Sequence, residues 1–128
     1  MFFSGKYKLV PVVNTADFNG GVTGDSINMA KAHRVTFLLM FGAITGAGAA
    51  ALTIKSGVSD GVQTTAVTFK YALGSAVTGS ASSDVLGTDA TSSSLSLTAA
   101  TYQNKMLVVE IDASEMDQAN SHDWLTLA

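Results

Sequence analysis

Apolar and polar residues alternate with a period of two along much of the chain, the pattern of strands that bury one face. It is clearest at residues 34–41, where Val35, Phe37, Leu39 and Phe41 share one face and Thr36, Leu38 and Met40 the other. Both faces are largely apolar, so this strand is expected at the centre of a sheet or with its second face against another subunit. Residues 49–55 follow, with Ala50, Leu52 and Ile54 inward and Thr53 and Lys55 outward. The Gly/Ala-rich run between these two strands reads as a hairpin loop. After the turn signal Ser59-Asp60-Gly61, residues 64–71 set Thr65, Val67, Phe69 and Tyr71 against Thr64, Ala66, Thr68 and Lys70. Further strands are expected at 94–98, at 105–111 with Leu107, Val109 and Ile111 inward, and at 122–128. Weaker signals mark an edge strand at 7–13, which contains Pro11, and a short segment at 26–29. From Gly74 to Ser94 the chain is low in complexity and reads as a long exposed loop or a weak edge hairpin.

About eight strands and one short helical turn predict an all-β fold. The expected architecture is a two-sheet antiparallel sandwich, jelly-roll-like, in a single domain over residues 1–128. A chain of 128 residues buries roughly two-thirds of its unfolded surface, enough for a core without staples. The sequence stops inside a strand-like run, Trp124 to Ala128, as a fragment of a longer gene product would.

Composition sharpens this picture. Ala, Ser, Thr and Gly supply 58 of the 128 residues, which suits pleated surfaces and turns. Charged residues make up 13% against 47% hydrophobic, which excludes a disordered chain and leaves a surface short of charge. Such a surface fits a protein that hides much of itself against partners. The net charge of −3 and seven scattered basic residues do not make a phosphate-neutralising surface, so no nucleic-acid partner is expected. With no cysteine, disulfides, thiolate metal sites and cysteine nucleophiles are excluded. Residues 35–54 lack a charge and are long enough to span a bilayer as a helix. Their alternating ends and central glycines favour strands instead, and no membrane association is expected.

Candidate chemistry is sparse. Asp112, Glu115, Asp117, His122 and Asp123 form the richest polar cluster and could in principle hold Ca²⁺ or a transition metal. Asp112 and Glu115 also have the spacing of a capping box, and helix capping is the expected role. His33 and His122 are the only imidazoles, and no serine sits in a G-x-S-x-G elbow. Gly42, Gly46 and Gly48 fit neither phosphate-loop nor dinucleotide-binding spacing. Trp124, Tyr71 and Tyr102 would serve a carbohydrate-binding module if they were exposed, although a lone Trp in an alternating strand is more often core. No catalytic residue, cofactor or metal is therefore assigned.

Two stretches carry a family likeness. One runs from Val35-Thr36-Phe37-Leu38-Leu39-Met40 through the Gly/Ala turn to Leu52-Thr53-Ile54 and Ser59-Asp60-Gly61. The other is Val108-Val109-Glu110-Ile111-Asp112-Ala113-Ser114-Glu115-Met116-Asp117, continuing through Ala119-Asn120 to Asp123-Trp124-Leu125. In these the chain resembles small structural proteins encoded near the major capsid gene of tailed bacteriophages. The resemblance implies a sandwich-fold virion component on the capsid exterior, a head decoration or cement protein that binds the major capsid protein. It also implies a homo-oligomer, often a trimer, with no catalytic residues to carry over. The alternatives are a tail, neck or fibre-associated component, a carbohydrate-binding or adhesive module, or an enzyme, which would need a pocket joining His122 to the acidic patch. The second faces of two strands supply the candidate subunit or capsid contacts: Leu38 and Met40 on one, Met106 and Val108 on the other.

Overall fold

The computed structural model describes residues 7–14, 21–45, 50–75 and 85–128. Nine strands run in the order β1 (Ile27–Asn28), β2 (Arg34–Met40), β3 (Ala50–Gly57), β4 (Thr65–Ala66), β5 (Phe69–Leu73), β6 (Ala90–Ser92), β7 (Ser94–Leu97), β8 (Met106–Asp112) and β9 (Trp124–Leu127). They form two antiparallel sheets. One has the order β1-β9-β3-β4 with β7 also on β3, and the other is β2-β8-β5-β6. The all-β two-sheet sandwich expected from the alternation is the fold observed.

The pairing is nested: β1 pairs with β9, β2 with β8, β3 with β7 and β5 with β6. With β4 and β5 taken as one bent strand, this is eight strands folded as a long double ribbon and rolled into two sheets, a jelly-roll order. The roll is closed by β9 pairing with β3 and β8 with β5.

Alternation places the core as expected. Phe69, Ile54, Leu107, Val109, Ile111 and Leu125 are fully buried between the sheets, and each such side chain contributes about 1.5–3 kcal/mol of burial. Leu52, Ile54 and Ser56 take the inward positions of β3. Ala50, expected inward, is exposed at the strand's start.

Four expectations need correction. The expected strand at 64–71 is two strands, because the chain changes sheets at Val67 and Thr68. The Val67 amide still donates to the Ile54 carbonyl (2.8 Å) on one sheet, while Phe69 opens β5 on the other. Alternation does not reveal the break, since Val67 and Phe69 both face the core. Nor do β2 and β3 pair as a hairpin, because they belong to different sheets. Residues 46–49 lie outside the described residues.

Residues 7–14 contain no strand. They are tied to β1's approach by the Asp25 amide donating to the Val12 carbonyl (2.7 Å), with Val12 packed on the core. Finally, of the two readings of β2, central or with its second face against another subunit, the central one gives way: among the described residues β2 is an edge strand.

Within the low-complexity stretch, Gly74 bridges Leu86 and β6 pairs with β5, so its described parts form an edge hairpin. Residues 76–84 lie outside the description. The helical turn expected after β8 is a 3-10 turn, Ala113–Glu115, with a capping box in which the Asp112 amide donates to Glu115 Oε2 (3.2 Å). A second turn, Gln118–Asn120, and a one-turn helix α1 (Ala99–Tyr102) carried no sequence signal strong enough to be expected.

Candidate functional site

The four-stranded sheet has a core face and an outward face, and the outward face collects the candidate contact residues. Register aligns it in rows. Leu38 of β2 lies opposite Val108 of β8, which lies opposite Ala72 of β5. Met40 lies opposite Met106, and the Met106 carbonyl accepts from the Gly74 amide (2.8 Å). Leu38, Met40, Met106 and Val108, distant in sequence, thus form one apolar patch. Leu38 and Met40 keep 66% and 69% of their surface, as much as many charged side chains keep, while Met106 and Val108 are half-buried beside them.

The other half of the same face is ionic. Arg34 Nε donates to Asp112 Oδ1 (2.8 Å), and Thr36 Oγ1 donates to Glu110 Oε1 (3.4 Å). Lys70 stands opposite Glu110 in register. The hydrogen bond from Arg34, reinforced by its charge, holds the Asp112 carboxyl below the usual carboxylate range. Two cations and two carboxylates on neighbouring rows balance, so the face as a whole is neutral. Buried Ala72 adjoins the patch in register with Val108, and exposed Val85 and Leu86 lie beyond Gly74, none of them anticipated. The signal was available for Ala72, since the alternation Phe69, Tyr71, Leu73 continues past the strand end read from sequence.

The acidic cluster is dispersed among local structural tasks. Asp112 binds Arg34 and Glu115 closes the capping box. Asp117 caps the second turn, accepting from the Asn120 amide (3.3 Å) and the Asn120 side chain (2.8 Å), and the latter bond is the main cause of its lowered pKa. No three His, Asp or Glu side chains converge on one point among the described residues.

His122 is buried, with Ser56 Oγ 2.9 Å from its Nδ1. It lines a cleft of about 250 Å³ together with Met29, His33, Met116, Gln118 and Asp123. Ser56 has no exposed surface, so its hydroxyl meets the imidazole inside the core and not a solvent-borne substrate. His33 is exposed at the start of β2, where its carbonyl accepts from the Ala113 amide (2.8 Å).

Of the aromatic candidates, Tyr102 and Tyr71 pack on the core, while Trp124 alternates with the core residues Leu125 and Leu127. Tyr102 is buried, packed edge-on against Phe41 with centroids 6.0 Å apart, and burial pushes its hydroxyl pKa up. Trp124 is half-buried in β9, and Tyr71 is half-buried against Phe69. They do not form an exposed platform. Among the described residues no helix is long and apolar enough to cross a membrane. No protein-family model, curated protein or solved structure matches the chain.

Proposed function

We propose that this chain is a non-enzymatic structural protein of a phage virion that binds the outside of the assembled capsid as a head decoration or cement protein. The observation that carries this reading is the outward face of the four-stranded sheet, where Leu38, Met40, Met106 and Val108 form an exposed apolar patch beside a charge-balanced row. A contiguous apolar patch on a small domain marks an interaction surface. Charge balance lets that surface approach a partner without a large field of one sign, and the chain's 13% charged content keeps charge sparse over the whole molecule. The likeness of residues 35–61 and 108–125 to phage structural proteins supplies the kind of partner, the major capsid protein.

A cement protein acts by linkage. Binding the assembled lattice better than free subunits shifts the equilibrium toward the shell, and many repeated weak contacts add to a large effect. Apolar area buried at about 25 cal/mol per Å² is the natural source of each contact.

The test is copy number, from quantitative mass spectrometry of gradient-purified particles against the major shell protein. Hundreds of copies per particle are expected. A handful to a few dozen would move the protein to the tail or neck, and absence from particles would overturn the virion reading.

A further inference from the structure

Among the described residues one edge of β2 is unpaired, and that edge is distinct from the strand's outward face. Register with β8 is antiparallel, and the Phe41 amide donates to the Lys105 carbonyl while the Ala113 amide donates to the His33 carbonyl. The odd-numbered residues of β2 therefore spend their backbone groups on β8. In an antiparallel ladder the intervening residues point theirs the other way, so the N–H and C=O of Arg34, Thr36, Leu38 and Met40 face the sheet's open side. Among the described residues β8 is the only strand paired with β2.

Proteins keep such edges short, or place Lys, Pro or a bulge on them. The other outer strands of this molecule are short: β1 and β4 have two residues, β6 three and β7 four. In contrast, β2 has seven residues, without Lys or Pro, and pairs with β8 in unbroken register. Its single charge, Arg34, stands at one end and is held by Asp112.

We infer that β2 is a homodimerisation edge: two copies pair β2 to β2, antiparallel about a twofold axis through Leu38, joining their four-stranded sheets into one of eight strands. The occupant is a second copy because the edge is complementary to itself. A twofold axis through an even-numbered residue sets each outward-pointing amide against an outward-pointing carbonyl. Centring on Leu38 places Leu38 opposite Leu38 of the second copy and Met40 opposite Thr36 of the second copy. Centring on Phe37 would instead set Met40 against an Arg34 and Leu38 against a Thr36, losing the apolar cross-strand pair. No like charges meet at the seam. The pairing leaves the outward face of both copies open, so it stands or falls independently of the capsid reading.

The absence of native cysteine makes the register directly testable. In a hydrogen-bonded antiparallel pair, Cα atoms opposite each other lie about 5.5 Å apart, within disulfide reach. Under mild oxidation at micromolar concentration, Leu38→Cys is expected to form a covalent dimer, while Met40→Cys and the distant exposed control Ser59→Cys stay reduced. The unmodified protein should sediment at twice its 13.1 kDa mass. It should return to monomer with Leu38→Lys, which sets two ammonium groups face to face, and with Thr36→Pro, which removes an outward N–H together with the hydroxyl bonded to Glu110. Amides of Thr36, Leu38 and Met40 should gain hydrogen-exchange protection as concentration rises. A monomer or trimer by sedimentation, or Leu38→Cys cross-linking no faster than Ser59→Cys, overturns the proposal.

Discussion

His122 shows how a residue's neighbours in sequence can mislead. Surrounded by Asp117 and Asp123, it reads as part of an acidic cluster, yet its hydrogen-bond partner is Ser56, on a strand far away in the chain. Short-range spacing carries no trace of that pairing. Replacing Ser56 by Ala leaves a buried imidazole nitrogen without its partner and is expected to cost about 1–3 kcal/mol, read as a lower urea midpoint with unchanged slope. Gly57, next along β3, is constrained differently: a Cβ there would overlap the Val62 carbonyl. Gly57→Ala should therefore destabilise, while Gly42→Ala, which meets nothing, should not. Phe69→Ala in the core is expected to cost about 3–5 kcal/mol in the same denaturation experiment. Tyr102 adds a pH signature. Because burial raises its pKa, the folded state favours the protonated hydroxyl, so its contribution holds below about pH 10 and is lost as pH rises above it. The melting temperature of Tyr102→Phe should fall less steeply across that range than that of the unaltered chain.

Elements were legible where alternation was strict. In β2 and β8 the inward residues read from sequence are the inward residues observed, and the antiparallel register sets the outward Leu38 and Met40 against Val108 and Met106. What pattern could not supply was which strands pair, so β2's edge position and the placing of β2 and β3 in different sheets were not foreseen. The segment around Pro11 departs for another reason: its alternating apolar residues form no strand, although the Val12 carbonyl accepts from the Asp25 amide and Val12 packs on the core. The turn at 118–120 rests on a side chain. Asn120 donates to Asp117 from both its amide and its side chain, and these bonds lower the Asp117 pKa. That depressed value means the stabilisation is present above the unfolded aspartate pKa of about 3.9 and fades as pH falls below it. The melting-temperature gap between the unaltered chain and Asp117→Ala is thus expected to be measurable at pH 7 and to narrow toward pH 2.

At the scale of the whole molecule, the two sheets divide the work. One, with β9 inserted between β1 and β3, holds buried Ser56, Thr126 and Leu125, while the other turns outward a face that is apolar in one half and ionic in the other. Leu38 and Met40 are already exposed, so the double substitution to Ser should leave thermal stability nearly unchanged while weakening assembly. If assembly mass and particle binding both survive that change, the contact assignment is wrong. The nested order has a further consequence for how the protein is made. Ile27 finds its partner in Leu125, and β3 is flanked by a strand containing Leu127. A ribosome that has released residues 1–115 has therefore released a sandwich with an open seam, its first and third strands lacking the neighbour that separates them. Folding must wait for residues 124–127, and until they emerge the nascent chain exposes its future core to chaperones and to other nascent copies.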